Sequence, residues 1–210
     1  MLEKDFEENN SEETAYLLAV LHLLQDNTDR SVKYIEKTLE IKPMHAKAYA
    51  QMGRIEFSRG NTEKAQEYYG KAIQLNPNLD SAYNNRALIE FNDKDTSAAL
   101  RDINAAILLN PNEPLYYCNR TAIKSFKNDW DGALEDCEAA IKIAPDYALA
   151  YAARGVCRLN KKDTDGAIED LTKAIQLNPK DANFFFYRGN AQCRKEYWNE
   201  AIEDFTKALE

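Results

Sequence analysis

The segment AIEDLTKAIQLNP, residues Ala167–Pro179, occurs in variant form along most of the chain. Close copies occupy residues 65–77, 99–111 and 133–145, a weaker copy occupies residues 31–43, and a shortened copy occupies residues 201–210. The prolines that close five of these segments stand 34 residues apart, at Pro43, Pro77, Pro111, Pro145 and Pro179. A fixed period of this length predicts a chain built from one repeated structural unit.

Each copy of the segment has the pattern of an amphipathic helix. In the copy quoted above, apolar residues recur at helical spacing at Ala167, Ile168, Leu171, Ala174 and Ile175. Charged and polar residues take the other face, and the closing proline blocks continuation of the helix. The residues before the quoted segment, ALAYAARGVCRLNKKDTDG, predict another helix followed by a polar turn. The repeat is therefore predicted to be two helices and two turns, which makes the fold all-α.

The repeat resembles the tetratricopeptide repeat in its period, in its closing proline and in two small residues at fixed places. One of these is glycine at residues 53, 155 and 189 and alanine at residue 87, and the other is alanine at residues 65, 99, 133, 167 and 201. The resemblance implies a right-handed superhelical solenoid of antiparallel helix pairs, whose first helices line a concave groove. We expect an acidic leader over residues 1–11 and a single solenoid over residues 12–210. Its repeats would begin at residues 12, 46, 80, 114, 148 and 182, with the last incomplete.

Composition and charge narrow the classes of partner. The formal net charge is −8, and no basic cluster offsets it, so nucleic acid and anionic membranes are not expected to bind. The longest apolar run, residues 15–24, is too short to span a bilayer and follows an acidic rather than a basic leader. A cytoplasmic protein is therefore expected. The four cysteines form no C-x-x-C motif and are interpreted as reduced, small apolar residues.

Two repeat positions vary together. When each repeat is numbered so that its closing proline is position 32, position 7 is arginine and position 23 is aspartate in the last four repeats, and neither is present in the first two. We predict that these residues pair at the helix interface, within a repeat or between neighbours. A structural role is favoured over a catalytic one, and loss of one partner of a buried pair should cost about 3–5 kcal/mol. The residues are Arg86, Asp102, Arg120, Asp136, Arg154, Asp170, Arg188 and Asp204.

The concave groove is the predicted binding site. Repeat positions 2, 5, 6, 9, 12 and 13 form one stripe on the first helix, and asparagine amides on this stripe can hold the backbone of an extended peptide. The alternative is that these amides are only solvated. The aromatic residues at 186 and 187 are expected to point into the groove, or else to pack on another chain or segment. The candidate groove residues are Gln51, Arg54, Phe57, Asn84, Asn85, Phe91, Asn119, Phe126, Phe186 and Tyr187.

Other functions have weaker support in the sequence. The family that the repeat resembles includes co-chaperones that clamp a carboxylate with lysine at position 5 and arginine at position 6. In this chain no repeat has lysine at position 5 or arginine at position 6. Only two histidines are present, and the repeat accounts for the position of every glycine, so no glycine indicates a phosphate-binding loop. No metal, cofactor or catalytic residue is therefore predicted. The expected function is a scaffold that binds a protein or peptide. The alternatives are a regulatory or substrate-binding region of a larger enzyme and a homodimer formed through the uncapped final helix.

Overall fold

Twelve helices make up the part of the chain that the computed structural model describes, residues 11–210, and that part contains no strand. The predicted acidic leader, apart from Ser11, lies outside the described residues. The all-α prediction is confirmed, and the fold is a helical repeat solenoid. The helices are α1 Glu12–Leu24, α2 Thr28–Ile41, α3 Ala46–Ser58, α4 Thr62–Leu75, α5 Asp80–Asn92, α6 Thr96–Leu109, α7 Pro114–Phe126, α8 Trp130–Ile143, α9 Ala148–Asn160, α10 Thr164–Leu177, α11 Ala182–Arg194 and α12 Trp198–Leu209.

The twelve helices group into two compact bodies. The N-terminal body ends at Leu109 and contains α1–α6, and the C-terminal body runs from Asn110 to Glu210 and contains α7–α12. Within each body the two helices of a repeat pack on each other, as α3 packs on α4 and α9 packs on α10. The first helix of every pair begins at the residue where the sequence divides the repeats. Among the described helices, none combines the length and the apolar character that crossing a membrane requires.

Local sequence sets where the second helices begin and end. The Asp129 carboxylate accepts a hydrogen bond from the Gly132 amide at 3.1 Å at the start of α8, and the same Asp-to-Gly cap recurs at the start of α10. Such a cap satisfies a backbone donor that the helix leaves without a partner. At the other end, α8 stops at Ile143, two residues before Pro145, and the other second helices before a closing proline stop at the same place. Proline thus fixes the helix length.

The turn inside each repeat always places one residue in the left-handed region. These residues are Asp26, Gly60, Lys94, Asn128, Lys162 and Glu196, with φ between 56° and 82°. Only Gly60 is free of the steric cost that a side chain pays in this conformation. The same backbone turn is therefore imposed on six different residues by the packing of the helices that it joins.

Small residues let the paired helices approach closely. A Cβ atom placed on Gly155 would lie 2.8 Å from Leu171 Cγ and 3.2 Å from the Ala167 carbonyl oxygen. Ala167 itself is fully buried, as are its counterparts at residues 65, 99 and 133. The core of the C-terminal body is centred on Ala152, Leu159, Ala167, Leu171, Ala174, Phe184 and Ala191. That of the N-terminal body includes Tyr49, Ala65, Tyr69, Ala72, Ala82 and Ile89.

Candidate functional site

A cavity of about 420 Å³ lies in the C-terminal body, and the first helices of its three repeats supply most of its lining. We call it the groove pocket. Its lining residues are Cys118, Asn119, Thr121, Ala122 and Ser125 from α7, Leu149, Ala152, Ala153, Val156 and Cys157 from α9, and Asp181, Asn183, Phe184 and Tyr187 from α11 and its cap. All these residues lie in one compact body.

The groove pocket combines apolar walls with a few amide groups. Leu149 and Tyr187 are 40% and 37% exposed, so part of their apolar surface is open to a ligand. The Asp181 carboxylate caps α11 by accepting hydrogen bonds from the Asn183 backbone amide and side-chain amide, both at 3.0 Å. Its charge is therefore satisfied locally. The pocket has the composition of a site that takes an apolar group and orients it by a few polar contacts.

Of the four candidate groove residues in the C-terminal body, Asn119 and Tyr187 line the groove pocket. Phe186 does not line it, although the ring is 48% exposed and packs edge-on against Tyr187 with centroids 5.8 Å apart. Phe186 also contacts Phe205 of α12, with centroids 5.9 Å apart. Phe126, the last residue of α7, is 59% exposed and lies outside the pocket lining. The structure thus brings together only half of this set.

The two candidate asparagines of the N-terminal body are tied to neighbouring side chains. Asn84 is only 3% exposed, and its amide donates to Asn85 Oδ1 at 3.0 Å. Asn85, which is half-buried, is also hydrogen-bonded to the Tyr69 phenol, whose pKa burial raises to about 12. Asn84 is therefore buried in the repeat packing, where its side-chain amide holds Asn85 in place.

The other candidate residues of the N-terminal body differ in how far they are buried. Phe57 is half-buried and packs on the core of that body, so its ring contributes to folding stability. Gln51 is half-buried, and its Oε1 atom has no hydrogen-bond partner among the described residues. Phe91 is half-buried, whereas Arg54 is exposed. In this body most of the predicted stripe is therefore engaged in packing.

Each position-7 arginine contacts the aspartate of its own repeat. Arg120 donates from Nε to Asp136 Oδ2 at 2.9 Å and from a terminal nitrogen to Asp136 Oδ1 at 2.5 Å. Both carboxylate oxygens are engaged by one guanidinium, which is the strongest geometry for such a pair. The carboxylates are 3–10% exposed and the arginines are 17–25% exposed. The other pairs are Arg86 with Asp102, Arg154 with Asp170, and Arg188 with Asp204.

A second cation reaches the aspartate in two repeats, which the sequence analysis missed. Lys124 Nζ lies 2.8 Å from Asp136, and the Arg158 guanidinium lies 2.9 Å from Asp170. Both cations occupy position 11, four residues after the paired arginine on the same helix face. The four-residue spacing between positions 7 and 11 was the sequence signal that could have predicted this second contact. The buried carboxylates at Asp136 and Asp170 are thus each held by two positive groups.

The third repeat reverses the charge at position 11. Glu90 stands there, 3.9 Å from Arg86, and its Oε2 atom is buried without a hydrogen-bond partner among the described residues. Burial, together with the nearby Asp102 carboxylate, raises the pKa of Glu90 to about 7, against the opposing effect of Arg86. Glu90 and Arg86 line an acidic cleft of about 470 Å³ with residues of α4. Arg86 therefore pairs with two carboxylates, those of Glu90 and Asp102.

Comparisons with known proteins agree with this architecture. The family model described as the tetratricopeptide repeat matches residues 46–79 and 148–181. A chain of the APC/C hetero-tetramer Cut9-Hcn1 superposes with a TM-score of 0.87 over 98% of this chain, at 17% identity. This chain spans only 41% of that one. A comparison with curated proteins found no match.

Two further solved structures share the fold. PilF from Pseudomonas aeruginosa superposes with a TM-score of 0.80 and 17% identity, covering 92% of this chain and 88% of its own. YrrB, described as a TPR protein with an unusual peptide-binding site, superposes with a TM-score of 0.62 and 19% identity, covering 83% of this chain and 90% of its own. At such identities the likeness is one of fold. Together with the two matched repeats, it supports the assignment of the chain to the tetratricopeptide repeat family.

Proposed function

We propose that this chain, a protein-interaction scaffold by its fold, binds a partner peptide by taking an apolar side chain of that peptide into the groove pocket. The observation that carries the proposal is a cavity of about 420 Å³ whose lining includes Leu149, Val156 and Tyr187. Burial of apolar surface contributes about 25 cal/mol per Å². A single leucine-sized or phenylalanine-sized anchor would therefore supply the main part of the affinity, in the way that a few buried residues dominate other interfaces.

The charges near the groove pocket favour a neutral anchor over an acidic one. Arg120 and Lys124 on α7 are both bound to Asp136, and Arg154 and Arg158 on α9 are both bound to Asp170. A ligand carboxylate would have to compete with a buried aspartate for these cations. This distinguishes the proposed site from the carboxylate clamp, which needs cations directed at the ligand.

Amide groups in the pocket lining suit the backbone of the peptide. Asn119 on α7 and Asn183 on α11 both line the groove pocket. An asparagine amide has both donors and an acceptor, so it can bind a peptide group without selecting a side chain. The structural likeness to YrrB, which is described as having a peptide-binding site, supports this class of ligand. The anchor would then set the specificity, and the amides would set the direction of the chain.

The experiment is a selection of random peptides displayed on phage against the full chain, followed by affinity measurement on the selected peptides. The test variant is Ala122→Arg, which places a long charged side chain in the pocket lining. The matched control is Leu88→Arg at the same repeat position of the N-terminal body, where the preceding repeat already carries Arg54. We expect selected peptides to share an apolar residue and to lose at least about tenfold in affinity, or about 1.4 kcal/mol, only with Ala122→Arg.

Two outcomes would contradict the proposal. Selected peptides that bind Ala122→Arg as tightly as the parent would place binding outside the groove pocket. Selected peptides whose common feature is a charged residue, with no apolar position shared, would contradict the apolar anchor. Far-UV circular dichroism of both variants checks that the helices are intact.

Self-association is a second candidate, because the final helix carries exposed apolar residues. Trp198, Ile202 and Leu209 are 58%, 63% and 90% exposed. Apolar side chains exposed together on one helix are a common feature of protein interfaces. Sedimentation velocity over a hundredfold range of concentration tests this: a dimer that Ile202→Glu abolishes supports it, and a monomer throughout removes it.

A cytoplasmic location suits the free thiols of all four cysteines, and it stays a proposal.

A further inference from the structure

Two buried thiols from different repeats meet beside the groove pocket. Cys137 of α8 is fully buried and Cys157 of α9 is 1% exposed, and the two belong to one core cluster. Their side chains pack together within this cluster, between α8 and α9. In sequence they occupy different repeat positions, 20 residues apart, so no motif indicates the contact. The packing of the fourth repeat on the fifth brings them together.

Hydroxyl groups surround this thiol pair. Thr121 Oγ1 lies 3.5 Å from the Cys137 sulfur, and Ser125 Oγ lies 3.6 Å from the Cys157 sulfur. Most buried cysteines sit in apolar surroundings, where burial raises the thiol pKa and makes the residue inert. Cys118 fits that description, since burial raises its pKa to about 12. The pair differs because each sulfur has polar neighbours.

The two thiols are chemically distinct. The contact with Cys137, aided by the hydrogen bond with Ser125, lowers the pKa of Cys157 below its usual range, although burial opposes the shift. The same contact, together with burial, raises the pKa of Cys137. Cys157 is therefore the thiol that ionises first, and its thiolate is the nucleophilic form. Cys137 stays protonated beside it.

A small oxidant has a route to Cys157. Cys157, Ser125 and Thr121 all line the groove pocket, which is large enough to admit water-sized molecules. Cys137 lies behind that lining, in the interface between α8 and α9. Cys193 is more exposed than either thiol of the pair. Cys193 therefore serves as an internal control, because oxidation governed by exposure alone would modify Cys193 first.

We propose that Cys137 and Cys157 are a redox-active thiol pair, in which a hydroperoxide converts the two thiols into a disulfide that joins the fourth repeat to the fifth. The Cys157 thiolate attacks the peroxide, breaking the O–O bond, so Cys157 becomes a sulfenic acid and hydroxide leaves. The Cys137 sulfur then attacks the sulfenic sulfur. The S–S bond forms, and the hydroxyl group leaves as water with the Cys137 proton. Overall, two thiols and one hydrogen peroxide give one disulfide and two waters.

The disulfide requires only a small local movement. The two side chains already pack in one core cluster, and their sulfurs must close to about 2.05 Å. Both lie on rigid helices, so the closure draws α8 and α9 together beside Thr121 and Ser125. The reduced and oxidised forms would therefore differ in how firmly the fourth and fifth repeats are joined.

The experiment treats the full, reduced chain with hydrogen peroxide at pH 7.5, blocks free thiols under denaturing conditions and maps disulfides by mass spectrometry without reduction. Trypsin separates all four cysteines into different peptides. The expected product is residues 128–142 joined to residues 155–158, with the loss of two hydrogens. It should form in the parent and in Cys193→Ser at equal rates, and not in Cys137→Ser or Cys157→Ser.

The parent protein alone can overturn the proposal, so a variant that fails to fold does not block the test. Oxidation that is confined to Cys193, a link that involves Cys118, or only intermolecular dimers would each contradict it. Alkylation by iodoacetamide across pH provides a second measurement. In the parent, Cys157 should react with a midpoint below that of an ordinary cysteine thiol, and that midpoint should move upward in Ser125→Ala and further in Cys137→Ser. Identical midpoints in all three proteins would contradict the proposed activation.

Discussion

The substitution Asp136→Asn tests whether the buried ion pairs stabilise the repeats. The carboxylate of Asp136 is 4% exposed, and it accepts hydrogen bonds from Arg120 and contacts Lys124, both of which are 19% exposed. An asparagine of nearly the same shape keeps the packing but leaves two cations without their counter-ion. Removing one member of a buried pair costs about 3–5 kcal/mol. Because two cations share this aspartate, we expect the loss to fall within that range.

The matched control is Asp102→Asn in the third repeat. Asp102 also binds an arginine, Arg86, but its other charged neighbour is Glu90 instead of a cation. Loss of the Asp102 charge removes the repulsion between two carboxylates, and Glu90 can then ionise and serve Arg86. We therefore expect a loss of about 1–2 kcal/mol, well below that of Asp136→Asn.

The assay is urea unfolding at pH 7.5, followed by far-UV circular dichroism. With a slope of about 2 kcal/mol/M, the Asp136→Asn loss moves the unfolding midpoint of the C-terminal body down by about 1.5–2.5 M. Asp102→Asn should move the midpoint of the N-terminal body by less than about 1 M. Equal shifts for the two variants would refute the reasoning from neighbouring charges. A shift below about 0.5 M for Asp136→Asn would refute the claim that the pair is buried and stabilising.

Three further predictions follow from the same structure. The raised pKa of Glu90 means that the folded state keeps a proton that the unfolded state loses, so stability falls as pH rises from about 4.5 to about 7. At pH 8, Glu90→Gln should therefore be more stable than the parent by about 1–2 kcal/mol, a value that allows for solvent screening. At pH 4 the two proteins should be equally stable, and urea titrations at both pH values measure the difference. Gly60→Ala should lose about 1–2 kcal/mol in thermal unfolding, because φ is +82° there while no atom lies within 4 Å of the added Cβ; no loss would contradict the assigned turn. Arg154→Lys should lose about 1–3 kcal/mol, since lysine cannot engage both oxygens of Asp170, and calorimetry showing an unchanged midpoint would argue against the fork geometry.

Repetition made much of the architecture predictable from sequence. The closing prolines and the alanine at position 20 recur at one period, so helix pairs follow from pattern alone, and each second helix before a closing proline stops two residues short of it. The contact of Arg120 with Asp136 was visible for the same reason, because arginine and aspartate are present or absent together across repeats. Comparison between repeats thus reveals contacts that recur in several repeats.

Contacts that are made only once were not predictable in this way. Cys137 and Cys157 meet across two repeats at different positions, and no other repeat has cysteine at either of those positions. Asn84 was assigned to the groove from helix periodicity, but position 5 is buried at Asn84, Cys118 and Ala152 and exposed at Phe186. The size of the side chain and its packing on the adjacent helices decide exposure there. Periodicity gives the face of a helix, whereas packing decides how far that face is open.

The groove pocket is tested most directly by methyl nuclear magnetic resonance of the full chain, titrated with a peptide taken from the selection. Leu149 and Val156 provide methyl groups in the pocket lining, and Leu17 and Leu21 provide exposed methyl groups in the N-terminal body. We predict that the largest chemical-shift changes occur at Leu149 and Val156, while Leu17 and Leu21 stay unchanged. Shift changes centred on Leu17 and Leu21, with Leu149 and Val156 unaffected, would contradict it.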